Sequence, residues 1–202
     1  MKEVSYIIAS IHTKQGRLSL FYSEYKLVVS NCKNRTKDQM MKNLLIDISE
    51  KAIKYEDFSF TSEQIENNWL GNIPASEKQI SDAENKLGVK FSEDYKEFLR
   101  ITNGFSAPND VEPSFEKIEK IDYLKNVDAF IIECYGLVEL ENAIIVAGIS
   151  EEQYFLLLPP KTENEHWKYW KFANWMAGEQ PFENLKEYFK NVQEFIDKQH
   201  MT

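Results

Sequence analysis

Two cysteines in 202 residues, Cys32 and Cys134, stand far apart and cannot supply a disulfide framework. They read as free thiols in a reducing compartment, so a cytoplasmic location is expected. Glycine (7) and proline (6) are scarce while 43% of residues are hydrophobic and 13% aromatic, which excludes a disordered or collagen-like chain. No apolar run approaches the ~20 residues that span a bilayer. The apolar start VSYIIASI follows only Met1, Lys2 and Glu3 and lacks a small-residue cleavage site, so no signal peptide is expected. Basic charge is also short: 24 Lys and Arg against 33 Asp and Glu give −9, opposite in sign to a nucleic-acid binder.

The deficit is uneven. Residues 1–61 carry 10 bases and 7 acids, a net +3, whereas residues 62–202 carry 14 and 26, a net −12. Residues 110–165 alone hold 13 acids and 4 bases. Two readings stand side by side: high charge that serves only solubility, and an acidic surface for a basic partner.

The runs VSYIIASIH, RLSLFYS and YKLVVSN predict three short strands of an antiparallel meander. Thr36 and Gln39 form a capping-box pattern, and Met41, Leu44, Leu45, Ile48 and Ala52 then recur at helical spacing, predicting a helix whose apolar stripe lies on the meander. Residues 1–61 are thus expected to form a small docked unit, and residues 62–202 a second domain. There Ser76 and Gln79 repeat the capping box, Ile80, Ala83 and Leu87 face inward, and Gly88 sits where a left-handed C-terminal residue is wanted. Ser92 caps a second short helix with Tyr95, Phe98 and Leu99 inside and Asn103-Gly104 as its stop. FEKIEKIDYL, AFIIECYG, AIIVAGIS, QYFLLLPP and WKYWKFA read as strands, with AIIVAGIS and QYFLLLPP apolar on both faces and therefore central. A long amphipathic helix around Leu185, Phe189, Val192 and Ile196 closes the chain.

Catalytic patterns are missing. His12, His166 and His200 are isolated, and there is no Gly-rich phosphate loop, G-x-S-x-G elbow or Cys-x-x-Cys, so neither an enzyme nor a metal or other cofactor is expected. Cys134 reads as a small buried side chain rather than a nucleophile. The aromatic run WKYWKFANW reads as a strand packed on both faces, against the alternative of a base-stacking platform. Any exposure would make Trp167 or Trp175 an anchor at a protein interface.

The stretch from Ile73 to Gly104, IPASEKQISDAENKLGVKFSEDYKEFLRITNG, resembles the signature of the SUKH superfamily, which includes the Smi/Knr cell-wall-assembly regulators. The resemblance rests on an apolar-Pro opening, then Ser76, Glu84, Leu87 and Gly88, then Tyr95, Lys96, Phe98 and Leu99, and finally Asn103 and Gly104. It extends in order of elements over residues 62–202 and leaves residues 1–61 outside. Ser92 departs from the usual Pro, which alters no helix start, and SAPNDVEPSFEKIEK reads as an insertion. The resemblance implies an α+β fold with a mainly antiparallel sheet, helices packed on it and no catalytic residues, and Glu84 is expected to accept backbone N–H bonds from a nearby loop.

In function the resemblance implies an immunity protein that neutralises a toxin, often a nuclease, or else an intracellular scaffold or regulatory module. The lysine-rich, arginine-poor composition suits an AT-rich bacterial genome and favours the first. A nuclease is basic where it holds phosphate, so the expected partner is a basic toxin protein, with neither nucleic acid nor membrane bound directly. The partner surface is placed on acids of turns and loops, Asp110, Glu112, Glu139, Glu141, Glu151 and Glu152, with Trp167 and Trp175 as alternative anchors.

Overall fold

The computed structural model describes residues 39–55, 58–162, 164–173 and 178–200. The expected N-terminal meander, the cap at Thr36, Cys32 and Trp175 lie outside the described residues. The chain divides into two compact units, Met1–Gln39 and Met40–Thr202.

The division differs from the boundary expected after residue 61. Helix α1 (residues 39–55) belongs to the larger unit from its second residue onward. Met41, Leu44, Leu45, Ile48 and Ala52, the stripe read from the sequence, are buried in the main core with Tyr95, Phe98, Val192 and Ile196. Polar contacts fix the seat: the Ser49 hydroxyl accepts the Leu70 N–H at 3.2 Å, and Lys51 pairs with Asp197 at 2.6 Å.

Helix α2 (Ser62–Asn67) starts at a Thr61 capping box and ends on left-handed Asn68. Helix α3 (Glu77–Leu87) has the expected Ser76–Gln79 box and Gly88 at φ 66°. Helix α4 (Glu93–Ile101) begins after Ser92, whose hydroxyl does not cap the helix; it donates to the Tyr169 hydroxyl oxygen at 2.9 Å instead. Asp94 accepts the same hydroxyl and, at 2.9 Å, the Leu185 N–H, so one carboxylate ties the start of α4 to the sheet and the last helix.

Strands β1 (Asp122–Tyr123), β2 (Ile144–Ala147), β3 (Gln153–Leu158), β4 (Lys168–Ala173) and β5 (Gln180–Phe182) form one antiparallel sheet in sequence order. β2 and β3 are interior and buried on both faces, as their composition implies. Ile144, Val146, Phe155 and Leu157 face the main core, while Ile145, Leu156 and Leu158 alternate into a second cluster. Helix α7 (Leu185–Gln199) covers the first face, with Tyr188 and Phe189 in an aromatic cluster around Phe115 and Phe155.

The second face corrects two expected strands. AFIIECYG forms helix α6 (Ala129–Tyr135), because Asp128 accepts the Ile131 N–H as a cap and Gly136 closes the helix at φ 61°. A short apolar run has no periodicity that separates a strand from a packed helix. Helix α5 (Leu124–Val127) and a 3-10 helix (Val138–Asn142) flank it, and the strand content of FEKIEKIDYL is limited to β1 and two isolated bridges at Phe115. Beyond the end of β2 single bridges continue sideways, Ala147 to Phe115, Phe115 to Phe105 and Phe105 to Gly71.

Candidate protein-binding surfaces

The expected acids separate into two groups at opposite ends of the β2–β3 hairpin. At the turn, Gly148 adopts φ 82°, where an added Cβ would lie 1.7 Å from the Gln153 carbonyl oxygen. The loop before β1 is laced to this turn: Glu151 accepts the Ser114 N–H at 3.0 Å, Gly148 N–H donates to Ser114 O at 2.9 Å, and Gln153 Nε2 donates to Asp110 O at 3.0 Å. Asp110, Glu151 and Glu152 are exposed at this end. Fixed backbone and solvated carboxylates make a preorganised negative surface, which lowers the ordering cost of association.

Glu112 is the correction within this group. It is 6% exposed, its carboxylate lies 2.8 Å from the Lys171 ammonium, and it accepts the Tyr188 hydroxyl at 2.8 Å. Lys171 also donates to Val111 O at 2.8 Å. The period of β4 explains this, since Tyr169 faces the main core and Lys171, two residues on, must face the same way. Burial, reinforced by the Glu112 charge, pushes the Tyr188 phenol well above its ordinary value.

At the other end Glu141 is exposed, and Glu139 is half-buried, 3.7 Å from Lys161. Its own backbone N–H, with help from Lys161, holds the Glu139 carboxyl below the usual range. Trp167 is partly buried against the main core, so its ring is mostly packing surface.

Helix α6 presents a face that sequence reasoning missed. Ile131, Ile132 and Tyr135 pack on the second cluster, while Phe130 is 72% exposed and Glu133 and Cys134 are exposed beside it. Cys134 is therefore a solvent-facing thiol and not the buried side chain expected from a strand.

The residues of the signature hold backbone together. Glu84, 7% exposed, accepts the Phe91 N–H at 3.0 Å and pairs with Lys90 at 2.6 Å, the loop-holding role expected of it. Asn103 accepts the Ile118 N–H at 2.7 Å and donates to Glu119 at 3.2 Å. Gly104, at φ 94°, lies so close to Phe115 that a Cβ would meet its carbonyl oxygen at 2.9 Å. Burial alone would raise the Glu84 carboxyl, but Lys90, the Phe91 N–H and Lys96 outweigh it and hold the group below its ordinary 4.5. A depressed carboxyl contributes stability that is present above the unfolded pKa and lost as pH falls through the folded value. The stability deficit of Glu84→Gln should therefore shrink between about pH 6 and about pH 3. Thermal melts of both proteins across that range check this; a deficit constant with pH contradicts it.

Among the described residues no three His, Cys, Asp or Glu side chains come together to hold a metal ion, and no helix is long and apolar enough to cross a membrane. Beside α2 an open cleft of about 890 Å³ runs past Trp69, Gly71 and Asn72.

Residues 74–198 match the model of the SMI1 / KNR4 family (SUKH-1). The chain belongs to this family. The buried Glu84, the left-handed Gly88 and the Asn103 bridge thus place the signature of a SMI1/KNR4 chain in its scaffold. The chain is also similar to a Bacillus subtilis (strain 168) protein described as uncharacterized protein YnaB, at 54% identity over 39 residues. That match covers 19% of this chain and 27% of the relative, so it spans about a quarter of the relative's length.

Proposed function

We propose that this SMI1/KNR4-family chain is a non-catalytic, cytoplasmic immunity protein that binds a cognate bacterial toxin, a basic nuclease, and neutralises it by occlusion. The observation that carries the reading is the acidic end of the β2–β3 hairpin. Asp110, Glu151 and Glu152 stand in solvent on a loop and turn that hydrogen bonds hold rigid, while Lys171 is withdrawn into the buried pair with Glu112. Such a surface steers a basic partner into encounter and leaves little conformational entropy to lose.

A second reading is an intracellular scaffold or regulatory module, favoured by the exposed Phe130 on α6, since a solvent-facing aromatic suits docking of a host protein. Co-expression with basic toxins encoded beside the gene separates the two. Immunity predicts restored growth and a stable one-to-one complex. Absence of both refutes it, and endogenous partners with a deletion phenotype in the absence of any toxin support the scaffold.

A further inference from the structure

The run of single bridges beyond β2 ends on Gly71, and the hydrogen bonds around it fix which way its backbone faces. Asn72 N–H donates to Gly104 O at 3.3 Å and Ser106 N–H donates to Leu70 O at 3.0 Å, so the two residues flanking Gly71 point inward to the Phe105 segment. In an antiparallel pair the residue between them directs its own N–H and C=O the opposite way. Neither group of Gly71 has a hydrogen-bond partner among the described residues.

Gly71 lines the cleft beside α2. The glycine is required, because an added Cβ would lie 2.5 Å from both the Trp69 ring and the Thr102 hydroxyl. The Trp69 ring is held edge-on to Phe105 at 5.6 Å, and Thr102 donates to Gly104 O at 2.5 Å, so neither is a loose side chain that could yield.

The walls are fixed. Gln64 is spent on Thr61 and Ser106, and Gln79 on Ser76 and Glu119. Asn67 and Asn72, by contrast, line the cleft with exposed carboxamides that make no hydrogen bond among the described residues. Each offers one acceptor and two donors, the complement of a peptide group. The charged lining residues, Glu63, Glu119 and Lys117, sum to −1, too little to select a strongly ionic ligand. Ile73, 86% exposed, adds an apolar contact at the rim.

We propose that this cleft binds an extended peptide segment of a partner protein, which adds as a strand beside Gly71. Its backbone pairs with the Gly71 N–H and C=O, and flanking peptide groups bond to Asn67 and Asn72. This goes beyond the toxin-binding reading and shares none of its acidic residues, so the two stand or fall separately.

The test uses the full chain and a linear random-peptide library displayed on phage. Panning is expected to enrich peptides whose binding falls roughly tenfold or more in a folded Asn72→Arg variant, the loss of about two hydrogen bonds plus a blocked cleft. N-methylation along an enriched peptide should abolish binding at every second residue only, and the Gly71 amide should become protected from hydrogen exchange in the complex. Enrichment that Asn72→Arg does not diminish, a helical or aperiodic methylation pattern, or a Gly71 amide that stays unprotected each overturns the proposal. Protection of Gly71 that rises with chain concentration and needs no peptide overturns it too, in favour of pairing between copies. Toxin rescue by the Asn72→Arg chain reports on the immunity reading alone.

Discussion

Replacing Lys171 with methionine is expected to destabilise the fold by about 3–5 kcal/mol, because it leaves the Glu112 carboxylate buried without its counter-charge. Lys171 is 7% and Glu112 6% exposed, so water cannot take the place of either partner without opening the loop above them. The loss also strands Val111 O, which accepts from the same ammonium. The double variant Lys171→Met, Glu112→Leu should recover most of the loss, since a buried ion pair exchanged for apolar groups of like volume is often neutral. Urea denaturation of the three proteins checks this; equal stability of Lys171→Met and wild type contradicts a buried pair. Tyr188, which donates to Glu112, gives the alkaline counterpart. A phenol raised in the fold contributes stability fully present below its unfolded value of 10.0 and lost as pH rises above it.

Gly148→Ala is expected to cost more than about 3 kcal/mol, as a strained backbone and a clash combine at one residue. At φ 82° an L side chain is already disfavoured, and its Cβ would sit 1.7 Å from the carbonyl oxygen and 2.8 Å from the carbonyl carbon of Gln153. Both obstacles are backbone of β3, so relief requires the hairpin turn to change shape. The damage should reach the acidic end, because the Gly148 N–H bond to Ser114 is one of the laces of the loop that carries Asp110. Thermal denaturation measures the first effect and hydrogen exchange at Ser114 the second; an unchanged melting temperature rules out the turn as described.

Sequence reading served best where local chemistry decides structure. The Ser76 box, the Gly88 terminus and the loop-holding Glu84 involve residues within a few positions of one another, and the period of the central strands announces burial on both faces. It failed where a partner lies far along the chain. Glu112 looks like a loop acid until β4 turns Lys171 inward beneath it, across a separation of about sixty positions. The apolar face of α1 is legible in the sequence, but its packing with Tyr95, Phe98, Val192 and Ile196 is not, because an apolar stripe does not name what covers it. AFIIECYG folds as a helix and not as the expected strand, since Asp128 and Gly136, modest signals alone, outweigh the strand propensity of the isoleucines. The Gly71 edge has no sequence signature, as it arises from three bridges among four separated segments.

The central claim, an acidic hairpin end that captures a basic toxin, is tested most directly by the association rate of the purified chain with the basic product of its neighbouring gene. Asp110 and Glu152 are the informative positions, because Glu151 also holds the Ser114 N–H and its replacement would disturb the loop. Asp110→Lys with Glu152→Lys should slow association about tenfold or more at low ionic strength and flatten its salt dependence, with dissociation and folding little changed. The same rate and the same salt dependence in the folded double variant would contradict the claim.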